Sequence, residues 1–173
     1  IVRYATVTST VASTTSGLIT FSTTTGANGN DNNTIDNCDL NGAGTAANII
    51  YASGTTTTTA TYNSGNTISN NKIHDQFVGG SATNGILVSG GNTDWTINGN
   101  SFYQSTTRTY TSGNTHTAIQ VSSSTAGNNF VITNNYIGGN TINAGGTPWT
   151  SAGAFANRFI GIQLSVAATT ATS

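Results

Sequence analysis

The chain has 173 residues and a formal net charge of −1, and its charged residues are four Lys or Arg and five Asp, with no Glu. So few cations cannot form the basic stripe that a nucleic-acid partner requires, and the same shortage argues against binding to an anionic membrane surface. No apolar run approaches the roughly 20 residues of a membrane-spanning helix, and the length fits one domain over residues 1–173. A lone Cys excludes an intrachain disulfide.

One nine-residue pattern occurs four times, as TIDNCDLNG (34–42), TISNNKIHD (67–75), TINGNSFYQ (96–104) and VITNNYIGG (131–139). Each copy has Ile, two residues, Asn or Cys, one residue, and then an apolar residue. A second pattern, Ile-x-apolar-small, alternates with the first as ITFS (19–22), IIYA (49–52), ILVS (86–89), IQVS (119–122) and IQLS (162–165). Its period of two is typical of a strand with one buried face, and no segment shows a helical period.

Two short strands in each unit of about 30 residues predict a coil that stacks on itself, a β-solenoid. Equivalent residues of successive coils then lie about 4.8 Å apart. The predicted inward rows are Ile35-Ile68-Ile97-Ile132, Leu40-Ile73-Phe102-Ile137 and Ile19-Ile49-Ile86-Ile119-Ile162.

The fourth position of the first pattern predicts a structural ladder at a turn, formed by Cys38, Asn71, Asn100 and Asn135. Asn tolerates left-handed backbone geometry in such a turn, and its amide can bond to the Asn above and below. Trp95 and Phe130 each precede a repeat Ile by two residues, so they are predicted to lie in the core above Asn33 and Asn66.

These repeats resemble the right-handed parallel β-helix family, which includes pectate lyases, phage tailspikes and many surface proteins. The resemblance covers residues 17–166 and implies an all-β solenoid of about five coils. More narrowly, GNDNNTIDNCDL, NSFYQSTTRTYTSGNTHTAIQV and NFVITNNYIGGNTINAGGTPWT look like segments of very large proteins of gliding bacteria. That likeness implies export by the type IX secretion system to the cell surface.

The cluster in TISNNKIHD has two interpretations. In the predicted register, Lys72 faces outward between Asp39 of the coil below and Ser101 of the coil above. A surface ion pair between Lys72 and Asp39 is therefore favoured over a catalytic base, and such a pair contributes about 0–1 kcal/mol.

The metal candidates are weak. Asp31, Asp36 and Asp39 offer oxygen ligands for calcium, but their spacing matches no strong calcium signature, so solvated turn acids are the favoured interpretation. His74 and His116 lack a third ligand at metal-site spacing, which predicts no zinc site and no resident cofactor.

The loops after the Asn pattern lengthen from coil to coil, from 41–48 through 74–85 and 103–118 to 138–161. Loops that leave the same corner of each coil emerge on one side, where solenoids commonly carry function. The candidate ligand-binding residues are Tyr103, Arg108, Tyr110, His116, Trp149, Phe155 and Arg158. The alternative is that Trp149, Pro148 and Phe155 only fold the longest loop over the edge of the coil.

We expect a non-enzymatic structural or adhesive segment of a large secreted or cell-surface protein, with surface polysaccharide or neighbouring copies as partners. Two features suggest a longer chain: the last strand lacks a following Asn pattern, and residues 166–173 do not look like a cap. A polysaccharide lyase or hydrolase is the main competitor, and convergence of Asp75, Asp94 and Arg108 would favour it. A glycan-binding module would expose Tyr103, Tyr110 and Trp149 on a common face. Residues 1–17 fit either a further coil or a covering strand.

Overall fold

The computed structural model describes residues 1–167, and nearly all of their regular structure is β. The strands form three five-stranded sheets and two two-stranded sheets, with parallel pairing between neighbouring coils. This confirms the all-β solenoid, which has about four turns rather than about five coils. Each five-stranded sheet receives one strand from every passage of the chain, so five passages enclose about four turns.

The strands are numbered in chain order. Sheet 1 contains β1 (Val2–Arg3), β4 (Thr34–Asp36), β8 (Thr67–Ser69), β12 (Thr96–Asn98) and β16 (Val131–Thr133). Sheet 2 contains β2 (Thr6–Thr8), β5 (Asp39–Ala46), β9 (Lys72–Gln76), β13 (Ser101–Tyr103) and β17 (Tyr136–Ile137). Sheet 3 contains β3 (Ile19–Phe21), β6 (Asn48–Ala52), β10 (Thr83–Val88), β15 (Thr115–Ser123) and β19 (Arg158–Val166).

The remaining elements are short. Strand β7 (Asn63–Ser64) pairs with β11 (Asn92–Thr93), and β14 (Arg108–Thr109) pairs with β18 (Ser151–Ala152). The helical structure described is one 3-10 turn, Thr59–Thr61. Within residues 1–167 there is no helix with the length and apolar character needed to cross a membrane.

Two of the three predicted apolar rows are confirmed in full, the one that begins at Ile35 and the one that begins at Leu40. The third row contains Ile50 in place of Ile49, because Ile50 pairs with both Ile19 and Ile86. The repeated pattern in this coil is therefore IYAS (50–53). Ile49 is also fully buried, and it fills the space that Gly42 leaves, since a Cβ on Gly42 would lie 2.8 Å from the Ile49 Cδ1 atom.

Aromatic side chains complete the core. Trp95 is fully buried, as predicted, and packs edge-on against Phe21 with 4.9 Å between ring centroids. Its indole N–H donates to the backbone oxygen of Asn63 at 3.0 Å. Phe130 is half-buried and packs against the same cluster. The interior is thus a continuous stack of large apolar side chains.

The first residues extend the stack downward. Val2 pairs with Ile35, and Val7 pairs with Leu40, so strands β1 and β2 form the lowest rung. Residues 1–17 were expected to form either a further coil or a covering strand, and residues 1–8 form part of a further coil. The prediction that residues 166–173 do not form a cap concerns mainly residues 168–173, which lie outside the described part of the chain, so it stays a prediction.

A ladder of hydrogen bonds runs along the turn between sheets 1 and 2. Asn71 Oδ1 accepts from the backbone N–H of Cys38 at 2.9 Å, Asn100 Oδ1 accepts from that of Asn71 at 3.0 Å, and Asn135 Oδ1 accepts from that of Asn100 at 3.0 Å. The side-chain amides also bond to one another at 2.9 and 3.0 Å. Cys38 receives the lowest link and has no amide to continue it.

The left-handed backbone of this turn lies one residue earlier than predicted. The residues with positive φ are Asn37, Asn70, Gly99 and Asn134, each directly before a ladder residue. Asn and Gly are the residues that adopt this conformation most easily. The Asn-Asn pairs of the sequence therefore combine a turn residue with a ladder residue.

Candidate ligand-binding site

The loops at 74–85, 103–118 and 138–161 emerge on one side of the solenoid and are joined by backbone hydrogen bonds. Strands β14 and β18 connect the upper two loops, with Tyr110 N–H donating to Ala152 O at 2.9 Å. The lower two are linked where Thr111 N–H donates to Gly79 O at 2.8 Å. The predicted insertions thus form one stacked unit.

A cavity of about 280 Å³ lies between these loops and the end of sheet 3. Its walls are Gln76, Phe77, Thr83, Gln104, Arg108, Tyr110, His116, Trp149, Thr150, Ser151 and Phe159. Four of the seven candidate residues are among them: Arg108, Tyr110, His116 and Trp149. The stacking of three loops is therefore what creates the concavity.

Aromatic rings form two parts of the wall. Tyr110 packs against Phe77 with 5.3 Å between ring centroids and against His116 with 4.7 Å. Trp149 packs edge-on against Phe159 at 4.5 Å. The contact with Phe159 agrees with the alternative role of Trp149, in which it folds the long loop onto the coil. The same ring also lines the cavity.

Three polar atoms in the wall have no hydrogen-bond partner although they are buried: Gln76 Oε1, His116 Nε2 and Trp149 Nε1. Gln76 and His116 are each more than nine-tenths buried. Buried polar groups are nearly always paired, because an unpaired one loses its hydration without compensation. A ligand that reached these atoms would supply the missing partners.

His116 is held in place by Thr83, whose Oγ1 lies 2.7 Å from His116 Nδ1. Burial lowers the pKa of His116, and the nearby Asn157 side chain opposes that shift without making a well-formed hydrogen bond to Nε2. The imidazole is consequently neutral at neutral pH, with Nε2 as donor or acceptor according to the tautomer that Thr83 selects.

A charged network extends from Arg108, in the cavity wall, to the two coils below. Lys72 Nζ is 3.3 Å from Asp39 Oδ2, which confirms the predicted surface ion pair. The pair belongs to a longer chain of contacts, because Asp39 Oδ1 is also 2.8 Å from His74 Nε2. On its other side, His74 Nδ1 is 2.8 Å from Asp75 Oδ2, and Asp75 contacts the guanidinium of Arg108.

Asp75 is the centre of this network. It is 5% exposed and accepts hydrogen bonds from the backbone N–H and the hydroxyl of Ser105, both at 2.8 Å. Burial disfavours its charged form, but the hydrogen bonds from His74 and Ser105 and the charge of Arg108 outweigh burial and lower its pKa to about 2. Asp75 therefore stays ionised at any ordinary pH.

His74 and Tyr103 respond to the two carboxylates in the same direction. Burial alone would lower the pKa of His74, yet its hydrogen bonds to Asp75 and Asp39 prevail and raise it. The Tyr103 ring stacks on the His74 ring at 4.5 Å, and burial together with the charges of Asp39 and Asp75 raises its pKa to about 12. Tyr103 thus supports the network and does not line the cavity.

The other two candidate binding residues lie outside the cavity. Phe155 is 48% exposed and does not contribute to the wall. Arg158 is exposed at the start of strand β19, where its backbone N–H donates to Asn114 O at 3.0 Å. Asp94, which was expected near Asp75 if the protein were an enzyme, instead accepts a hydrogen bond from Asn129 at 2.8 Å.

The three acids considered for calcium do not converge. Asp31 accepts from Ser64, Asp39 belongs to the charged network, and Asp36 is paired with Arg3 at 3.2 Å. Asp36 is nearly buried, so its interpretation as a solvated turn acid is wrong. Within the described residues, no three His, Cys, Asp or Glu side chains are grouped so that they could hold a metal ion.

The sequence did not identify seven of the wall residues: Gln76, Phe77, Thr83, Gln104, Thr150, Ser151 and Phe159. Three of them lie in the 74–85 loop, which was predicted to emerge on this side but contributed no candidate residue. Comparison with protein-family models, curated proteins and solved structures found no match to this chain.

Proposed function

We propose that this solenoid is a non-enzymatic binding segment of a large secreted or cell-surface protein and mediates adhesion through a ligand held between its loops. The observation that carries the proposal is a cavity with aromatic rings in its wall, three of whose lining residues each have a buried polar atom without a hydrogen-bond partner. Such cavities, mostly apolar with a few placed polar groups, are typical of small-molecule sites.

The rigidity of the site supports the same proposal. The cavity loops are connected by strand pairing, and Asp75 fixes the middle loop through Ser105 and Arg108. A binding surface that is ordered before the ligand arrives loses less conformational entropy on binding. The solenoid therefore presents a binding site whose loops are already held in place.

The charged network argues for binding without turnover. A general base works best with a pKa near the operating pH, whereas the pKa of Asp75 is about 2. Both nitrogens of His74 are engaged by carboxylates, and Lys72 is paired with Asp39. These groups stabilise one another and leave little capacity to exchange protons with a substrate.

A carbohydrate-active enzyme is the second candidate, and one observation favours it. Asp75 and Arg108 do converge, which is part of the arrangement expected of a polysaccharide lyase or hydrolase. Asp94 is not part of that arrangement, because it contacts Asn129.

The sequence supports the cellular context of the proposal. The resemblance to right-handed β-helices, and to type IX-secreted proteins of gliding bacteria, suggests an extracellular location. The low charge suits a neutral surface that contacts polysaccharide or neighbouring copies of the protein. The mass of the protein isolated from its source cells tests this context, since a chain no longer than 173 residues would contradict a place within a large protein.

Retention on polysaccharides tests the binding function. The chain should be retained on particles of a surface polysaccharide, and the soluble fraction should contain no new reducing ends and no unsaturated products. Retention should fall at least tenfold for Tyr110→Ala, whereas Tyr136→Ala, which removes an exposed ring outside the cavity, should bind as the wild type does. Product formation that disappears in Asp75→Asn would establish the enzyme instead.

A further inference from the structure

We propose that the ligand of this cavity is an uncharged saccharide whose sugar ring packs on the aromatic wall while its hydroxyls pair with Gln76 Oε1, His116 Nε2 and Trp149 Nε1. The inference rests on the proposed binding function and names the chemical class of the ligand. Four features of the cavity lead to it: its polar atoms, its rings, its charge and its size.

The polar atoms require a ligand group that can both donate and accept. Gln76 Oε1 accepts only, Trp149 Nε1 donates only, and His116 Nε2 does one or the other according to its tautomer. A hydroxyl satisfies all three atoms because it carries one donor and two acceptor sites. A carboxylate would leave Gln76 Oε1 facing another acceptor, and a purely apolar ligand would leave all three atoms unpaired.

The rings require a ligand with an apolar face. Tyr110 with Phe77, and Trp149 with Phe159, provide aromatic surface from three successive coils. Aromatic side chains contribute large contact area at low conformational cost. A sugar ring combines the two requirements, since its C–H groups lie on its faces and its hydroxyls project around its edge.

The charge of the cavity points to an uncharged ligand. Among the described residues that form the wall, Arg108 is the one that is charged, and its charge is already balanced by Asp75. Its Nε donates to Gln104 Oε1 at 2.8 Å, and its guanidinium lies 5.7 Å from the centre of the Phe77 ring. Arg108 therefore has its own partners and does not need the carboxylate of an acidic sugar. None of the wall residues within 1–167 is acidic, so a cationic amino sugar would lack a counter-charge there.

The size of the cavity limits the ligand to a short saccharide. Its volume is about 280 Å³, which is near the lower end of ligand pockets, typically about 300–1,000 Å³. One or two sugar rings fill such a space. A longer polysaccharide would place one terminal or branching unit in the cavity and leave the rest in solvent.

The two tryptophans allow a direct test by ¹H–¹⁵N NMR of the ¹⁵N-labelled chain. Trp149 lines the cavity and its indole N–H has no partner, whereas that of Trp95 is bonded to Asn63 O in the core and serves as the internal reference. The chain is titrated with methyl glycosides and disaccharides of glucose, galactose and mannose. Glucuronic and galacturonic acids represent acidic sugars, and adenosine represents a flat heteroaromatic ligand.

We expect at least one neutral sugar to shift the Trp149 resonance saturably, with a Kd of about 1 mM or tighter, and to leave that of Trp95 unchanged. Loss of one hydrogen bond should weaken binding about tenfold in Gln76→Met. Gln76→Met removes an unpartnered buried acceptor, so the variant should fold at least as stably as the wild type, and weaker binding cannot be attributed to unfolding. Phe155→Leu, outside the cavity, is the matched control and should bind normally.

Three results would overturn the inference. If only acidic sugars or adenosine shift Trp149, the ligand class is wrong, although the cavity remains a binding site. If no compound shifts Trp149 while the chain is still retained on polysaccharide particles without product formation, the saccharide binds elsewhere; adhesion without turnover survives, but its placement between the loops is wrong. If neither shift nor retention is observed, both this inference and the proposed function are wrong.

Discussion

The substitution Asp75→Asn tests the charged network with the least disturbance of the backbone. Asp75 has a φ of +60°, a left-handed conformation that Asn adopts as readily as Asp. The substitution therefore removes the charge while it preserves the shape of the residue and its backbone preference. Arg108 and His74 lose their shared carboxylate.

The expected cost follows from the pKa of Asp75, which falls from 3.8 to about 2 on folding. At about 1.4 kcal/mol for each pKa unit, ionised Asp75 stabilises the fold by about 2 kcal/mol at neutral pH. Because the folded-state pKa is the lower one, this contribution is complete above about pH 4 and is lost as the pH falls through about 2. Asp75→Asn should therefore lower the free energy of unfolding by at least about 2 kcal/mol at pH 7, and the difference from the wild type should shrink towards pH 2.

Urea unfolding of both proteins at a series of pH values measures this difference. Asp94→Asn is the matched control, since Asp94 is exposed and also has a positive φ, of 58°. Its substitution should change the stability by no more than about 0.5 kcal/mol. Equal effects of the two substitutions, or a cost for Asp75→Asn that does not depend on pH, would refute the role assigned to the network.

Three further predictions concern the histidines, the ladder and the core. NMR titration should place the pKa of His74 above 6.5 and that of His116 below it, and a shared midpoint near 6.5 would contradict the contacts described. The stabilisation from charged His74 is complete below about pH 6.5 and is lost as the pH rises through its folded-state pKa. Asn100→Ala removes the buried hydrogen bonds that link three coils and should lower the free energy of unfolding in urea by about 2–4 kcal/mol. The control Asn28→Ala, in an exposed loop, should lower it by less than about 0.5 kcal/mol. Similar losses for the two variants would exclude a stabilising ladder. Phe102→Ala empties a fully buried position and should cost about 3–5 kcal/mol in the same assay, and a loss below about 1 would contradict the stacked core.

The solenoid was predictable because its strands repeat a simple physical pattern. An apolar residue at every second position identifies the buried face, and the repeat aligns that face from coil to coil. The error at Ile49 shows the limit of this reasoning. In Ile49-Ile50 both residues are apolar, so the pattern alone does not decide between two registers one residue apart, and backbone pairing with Ile86 selects Ile50.

The hydrogen bonds of the turn were predicted correctly, but its left-handed backbone was placed one residue too late. The expectation assigned both the ladder and the left-handed conformation to the same Asn. In the structure Asn70 supplies the left-handed turn and Asn71 the ladder bond. Two adjacent Asn residues perform separate tasks, and composition does not distinguish them.

The cavity was predictable in location and only partly in its residues. Loops that leave the same corner of a solenoid must emerge together, so the side of the molecule followed from the repeat. Which side chains turn inward depends on contacts within the loops, such as that of Arg108 with Asp75 of the coil below. Gln76 was missed for a related reason: its importance comes from the absence of a partner in the folded chain, which no sequence pattern records.

The central claim is that ligand binding resides in the loop cavity. Its most direct test is to map, by NMR, the backbone amide chemical-shift changes over the whole chain when it binds a saccharide of the polysaccharide on which it is retained. Binding in this cavity predicts shifts concentrated at 76–83, 104–116 and 149–159, with the outer face of sheet 3 unaffected. Shifts confined to the outer face of sheet 3, or centred on Asp94, would contradict it.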